Sequence, residues 1–98
     1  MSERLSASAV VPTTTGARYV KQLVSHLGRK AEVRSEPAGE RLLFGTDSCL
    51  VSSEPDAVRL QATATTREGL QRVAEIVGGH LERFGNRDGL SVTWQDPS

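Results

Sequence analysis

The sequence predicts a small α+β domain, a two-layer sandwich with an antiparallel sheet of about five strands and two helices packed on one face. Three observations lead to this fold class. Two segments repeat apolar residues at helical steps, and the remaining segments alternate apolar with polar residues, as strands do. Short turns join the strand segments, which favours antiparallel neighbours. Because each helix and each strand carries its apolar residues on one side, we expect both helices on the same sheet face.

The elements are expected in the order strand, helix, four strands, helix and closing strand. The first strand is predicted over residues 4–11, where Leu5, Ala7 and Ala9 alternate with other residues and Pro12 ends the pattern. The first helix is predicted from Gly16 to about residue 28, with a glycine as its stop. Four short strands follow, and they are predicted over residues 31–36, 40–44, 48–53 and 57–64.

The second helix has the clearest pattern in the chain. Its apolar stripe consists of Leu70, Val73, Ala74, Val77, Leu81 and Phe84. Thr65, with Glu68 three positions later, fits a capping box at the helix start. The pair Gly78–Gly79 is unusual, because each interior glycine costs about 1 kcal/mol relative to alanine. Close packing or a bend would explain the pair, with a close ligand approach as the alternative. Alternation over residues 90–94 then predicts a closing strand.

Composition limits the classes of function. A chain of 98 residues is expected to form a single domain, residues 1–98, with one modest core. Twelve basic and twelve acidic residues leave no net charge, and one tryptophan, one tyrosine and two phenylalanines offer little stacking surface. These features argue against nucleic-acid binding. No apolar run approaches the roughly 20 residues that span a bilayer, so no membrane partner is expected. The single cysteine cannot form an internal disulfide, and we expect a cytoplasmic location.

Motifs for common chemistries are missing from the sequence. No glycine-rich loop with a following lysine stands between a strand and a helix, so no phosphate-binding loop is expected. Cysteine and histidine do not cluster at zinc-ligand spacing. Cys49 lies among apolar residues of a predicted strand, and we interpret it as a small core residue rather than a nucleophile. No catalytic residue is therefore predicted, and the sequence leaves the cofactor unknown.

The two histidines form the one pattern with a chemical meaning. His26 lies near the end of the first helix, His80 near the end of the second, and each borders its apolar stripe. If the helices pack side by side, the imidazoles converge and would suit iron, haem or another metal as a ligand pair. In the alternative interpretation, each histidine interacts with its own helix end or with a backbone carbonyl. The relative direction of the helices decides between these, and the sequence does not fix it.

A possible partner surface involves Leu42, Phe44 and Leu50. If these side chains face outward together, they form an apolar patch on the open face of the sheet. The simplest consequence is a homo-oligomer that pairs through this face. In the alternative, one of the three residues packs at a sheet edge.

Three segments carry a family resemblance: residues 16–30 (GARYVKQLVSHLGRK), 44–62 (FGTDSCLVSSEPDAVRLQA) and above all 77–94 (VGGHLERFGNRDGLSVTW). They resemble the small bacterial family known as domain of unknown function twenty-two-eighteen, over nearly the whole chain. The resemblance implies no established activity and no catalytic residues. Both histidines match family positions. Members of the family are often found beside genes for iron or siderophore uptake, which implies a possible role there.

Three functions follow as hypotheses. The leading one is a cytosolic accessory or binding protein without catalysis, associated with iron or siderophore handling. The second is a small enzyme that uses His26 or His80 as an acid–base or metal ligand in a site completed by a dimer mate. The third is a structural or regulatory interaction module that uses the surface near Phe44.

Overall fold

The computed structural model of the protein describes residues 4–95 and has the predicted fold class. Five strands form one antiparallel sheet in the order β1-β5-β4-β3-β2. The elements in chain order are β1 (Leu5–Pro12), α1 (Gly16–Leu27), β2 (Glu32–Glu36), β3 (Gly39–Phe44), β4 (Asp47–Glu54), β5 (Ala57–Ala64), α2 (Arg67–Phe84) and a 3₁₀ turn (Asn86–Asp88). No helix within residues 4–95 is long and apolar enough to cross a membrane.

The sheet topology determines where the helices lie. Strands β2 to β5 form a meander of antiparallel neighbours, joined by short turns. One of these turns uses Gly45 at φ 68°, a left-handed conformation that glycine adopts without steric cost. Strand β1 pairs with β5 at one edge, whereas β2 forms the other edge. Helix α1 must therefore cross the sheet, and α2 returns over the same face after β5.

The core lies between the helices and one face of the sheet. Both helices contact β4 and β5. Each strand contributes to the core the alternate residues that point to the helix face of the sheet. The register places Cys49 between Leu42 and Ala62, and it places Val51 beside Leu60. The largest fully buried side chains are Leu23, Leu42, Leu60, Leu81, Val11, Val51, Val58, Val73, Val77 and Cys49.

The predicted apolar patch on the open face is wrong. Leu42 and Phe44 share a parity in β3, and the register places both on the helix side, where Leu42 is 0% exposed and Phe44 packs against the core. Leu50 pairs with Arg41 and has the opposite parity from Cys49 and Val51, so it points to the other face. The three side chains do not meet, and a dimer through them loses its physical basis.

The predicted helix cap is displaced by one residue. Thr66, not Thr65, is the N-cap: it has extended backbone angles, and its hydroxyl accepts a hydrogen bond from the Gly69 amide at 2.9 Å. The amide of Thr65 instead donates to the Asp47 carboxylate at 3.3 Å, which links the helix entry to β4. Glu68 is then only the second helical residue, one position short of a capping box.

The predicted closing strand does not extend the sheet. Within the described residues, the backbone of residues 90–95 pairs with β1 in one isolated bridge, where Ser8 and Gln95 exchange two hydrogen bonds of 2.9 and 2.7 Å. The segment is also tied to α2, because the Val92 amide donates to the Glu82 carboxylate at 2.8 Å. Val92 and Trp94 pack against the core from this position.

The glycine pair in α2 has two different environments. A Cβ atom on Gly78 would lie 2.9 Å from Nε1 of Trp94 and 3.4 Å from Cγ1 of Val92, whereas a Cβ on Gly79 would meet nothing within 4 Å. Close packing, one of the two explanations expected from the sequence, therefore applies to Gly78. The structure gives no packing reason for Gly79.

The glycine pair gives a matched stability test. Gly78→Ala should lower the free energy of unfolding by about 1–3 kcal/mol, because the added methyl group overpacks the Trp94 contact. Gly79→Ala should raise it by about 0.5–1 kcal/mol, because alanine is the better helix former and the space is open. Urea denaturation of both variants measures the difference. Equal stabilities would show that Trp94 does not pack against α2 as described.

The buried cysteine gives a second test. Cys49 is 0% exposed, and burial raises the pKa of its thiol to about 12. At pH 8 the thiolate fraction should be about one part in ten thousand, and the sulfur is also shielded by the core. We expect no reaction of the native protein with a thiol reagent and stoichiometric reaction in urea, which absorbance of the released chromophore would follow. Rapid labelling of the native protein would contradict the burial of this strand.

Candidate two-histidine site

Helices α1 and α2 lie side by side and run in opposite directions. The Tyr19 hydroxyl near the start of α1 donates a hydrogen bond to the carboxylate of Asp88, just beyond the end of α2. Seven residues later, His26 meets His80 and Phe84, which come earlier in α2. Moving forward along α1 therefore means moving backward along α2. The two helices are therefore antiparallel, which is the relative direction that the sequence left open.

The two imidazoles meet at the seam between the helices. Their ring centroids are 4.9 Å apart, with a 42° angle between the ring planes. Phe84 adds a third ring, with its centroid 5.5 Å from that of His26 in an edge-on arrangement and 6.2 Å from that of His80. The Phe84 position was not singled out as part of a site from the sequence, although its spacing of four residues from His80 places it on the same side of α2.

A backbone hydrogen bond orients the second histidine. Nδ1 of His80 lies 2.6 Å from the carbonyl oxygen of Ile76. Because a carbonyl oxygen only accepts, Nδ1 must carry a proton, and in the neutral imidazole Nε2 then keeps its lone pair. This is the backbone contact expected in the alternative interpretation from the sequence. It is also how metal-binding histidines are commonly oriented, so the two interpretations are compatible here.

The distance between the rings fits a shared metal ion. With metal–nitrogen bonds of about 2.0–2.1 Å, two imidazoles in adjacent coordination positions have ring centroids about 4.5–5.3 Å apart. The observed 4.9 Å falls within this range. Residues 4–95 contain no group of three or more His, Cys, Asp or Glu side chains placed to hold a metal. Among the His, Cys, Asp and Glu side chains of the described residues, the two histidines are therefore the metal ligands available at this position.

The contact between Tyr19 and Asp88 fixes the end of the seam. The hydrogen bond to Asp88, together with burial and the charge of that carboxylate, raises the pKa of Tyr19. It links α1 to the 3₁₀ turn after α2, although 69 positions separate the two residues. The sequence does not predict this contact, because no local pattern connects residues so far apart.

Other side chains with chemical potential lie elsewhere. Cys49 is buried within the core, and its raised pKa makes it a poor nucleophile. On the open face of the sheet, Arg41 donates to both carboxylate oxygens of Glu36, at 2.6 and 3.1 Å, and to the Ser48 hydroxyl at 3.2 Å. This hydrogen bonding lowers the pKa of Glu36. The arrangement connects β2, β3 and β4 and leaves Arg41 engaged with its own chain.

Comparison with solved structures identifies similar proteins. The NMR structure of PA4090 from Pseudomonas aeruginosa is 31% identical, with a TM-score of 0.78 over 93% of this chain and 95% of that one. A de novo designed protein with a ferredoxin fold, LFR1 1, is 12% identical, with a TM-score of 0.55 over 97% of this chain and 85% of that one. This second likeness concerns the fold alone. No curated protein matches the chain.

A family model matches residues 8–95, from the middle of β1 to the bridge at Gln95. The matched range includes both helices, strands β2 to β5 and the second part of β1, so it covers both layers of the fold. The resemblance noted in the sequence is thereby confirmed. The chain belongs to the family described as "Uncharacterized protein conserved in bacteria (DUF2218)".

Proposed function

We propose that the protein is a non-catalytic binding protein whose His26–His80 pair holds a transition-metal ion. The observation that carries this proposal is the 4.9 Å separation of the two imidazole centroids at the helix seam. The hydrogen bond from Nδ1 of His80 to Ile76 supports it, because Nε2 is left as the donor atom. Neutral imidazole binds zinc, copper, nickel and iron.

A binding role, rather than catalysis, is supported by the surroundings of the pair. A catalytic imidazole is usually oriented by a carboxylate and placed beside a nucleophile or a substrate hydroxyl. Here the neighbouring group is the ring of Phe84, and His80 is oriented by a backbone carbonyl. The alternative of a His-based enzyme completed by a dimer mate would need further groups from the second copy.

Iron or siderophore handling in the cytoplasm is the specific form of the proposal that the family resemblance suggests. Its chemical support is the affinity of imidazole for ferrous iron and for haem iron. We therefore include ferrous iron, haem and ferric siderophores as separate arms of the experiment below, next to zinc, copper and nickel.

Thermal unfolding with each metal tests the proposal, on protein without a polyhistidine tag. A metal present at about 100 times its dissociation constant should stabilise the native state by about 2.7 kcal/mol, with a corresponding rise in Tm. His26→Ala and His80→Ala should each remove the rise, because one imidazole alone binds weakly. The rise should also shrink as the pH falls, because protons compete with the metal for imidazole.

Gln71→Ala serves as the matched control, since Gln71 is exposed on α2 nine residues before His80 and offers no imidazole. It should keep the full metal-dependent rise in Tm. A screen in which no metal stabilises the wild type would end the proposal. So would a rise that survives both alanine substitutions. If only the iron arms fail, the metal site stands and the iron form is dropped.

A further inference from the structure

A metal held by two imidazoles keeps open coordination positions. Zinc takes four ligands in structural sites, and other transition metals take four to six. Residues 4–95 place no third His, Cys, Asp or Glu beside the pair. The open positions can accept donors from another molecule, and the surface around His26 indicates its chemistry.

An open groove of about 540 Å³ runs along the outer face of α1 to Phe84. Its lining contains three cations, Arg18, Lys21 and Arg29, and no acidic residue. Arg18 and Lys21 are three positions apart on α1, on the side that also carries His26, and Arg29 lies in the turn just after the helix. The residues that line the groove are Arg18, Lys21, Gln22, Ser25, His26, Arg29 and Phe84.

The positive charge of this groove is not balanced by ion pairs. Within residues 4–95 the ion pairs engage Arg34, Arg41 and Arg59, and none involves a cation of the groove. The whole chain has no net charge. The groove is thus a local concentration of positive potential on a neutral protein, and such a surface attracts anions. Neighbouring like charges on a helix also repel each other, which a bound anion relieves.

We propose that the metal enters this site as an anionic chelate, a small molecule whose carboxylate or phosphate groups fill the open coordination positions. His26 and His80 bind the metal, while Arg18, Lys21 and Arg29 hold the outer oxygens of the chelator. The inference rests on the proposed function, because the histidine pair anchors the metal. A second copy of the chain fits less well as the other ligand. It would bring the same three cations to the same metal.

Two nickel chelates of opposite charge test this inference. Nickel nitrilotriacetate carries net negative charge, and nickel tris(2-aminoethyl)amine carries net positive charge. Both chelators occupy four positions and leave two adjacent positions open for imidazoles, so they differ mainly in charge. Isothermal titration calorimetry of each chelate against the protein gives the two dissociation constants.

The wild type should bind the anionic chelate roughly tenfold more tightly, because each exposed ion pair contributes a factor of about 1.5–5. The triple variant Arg18→Gln, Lys21→Gln, Arg29→Gln should lose this preference, and added salt should weaken it. The control triple variant Arg34→Gln, Arg67→Gln, Arg72→Gln has the same net charge and alters no residue of the groove. It should keep most of the preference. Thermal unfolding confirms that both variants are folded.

The outcomes separate the two claims. Equal affinity of the wild type for the two chelates would overturn the anionic inference and leave the metal site standing. A preference that survives in the groove variant, or that disappears equally in the control, would also overturn it. If neither chelate binds, or if His26→Ala binds both as well as the wild type, the proposed function itself fails.

Discussion

The apolar layer between the sheet and the two helices is the constraint on which the rest of the structure depends. Leu23 of α1 and Leu81 of α2 are both 0% exposed, and they face sheet residues such as Leu60 that are equally buried. Full burial of each such side chain stabilises the fold by about 1.5–3 kcal/mol relative to exposure. In a domain of this size only one face of the sheet is covered, so both helices must share that face. A seam between them is the direct consequence.

The candidate site is a product of this seam. Residues at the border of an apolar stripe lie beside the core, so they meet the same border of the adjacent helix. His26 and His80 occupy such positions, and Phe84 lies one turn beyond His80. The bond between Tyr19 and Asp88 fixes the offset of the two helices at one end. The imidazoles therefore sit on rigid elements, as a preorganised site requires.

Local patterns in the sequence predict the helices, the strands and the fold class, because periodicity reports which face of each element is buried. Local patterns do not predict features that depend on a contact with a residue far away in the sequence. The spacing to Glu68 predicts Thr65 as the cap, whereas in the structure the Thr65 amide donates to Asp47 and Thr66 caps the helix. Because residues 42–44 are all apolar, the sequence does not show which side chains of β3 face the helices. The register with β4 determines this. The convergence of the histidines depends on helix direction and offset, which are tertiary properties.

The central claim is that the two imidazoles form one site with Nδ1 of His80 protonated. Long-range proton–nitrogen correlation NMR of the imidazole rings tests it most directly, because it reports the tautomer and the nitrogen that binds a metal. We expect His80 to be protonated at Nδ1 in the free protein. On addition of zinc, Nε2 of His80 and one ring nitrogen of His26 should shift together and saturate at one equivalent. A proton on Nε2 of His80, or a zinc shift confined to one ring, would contradict the account.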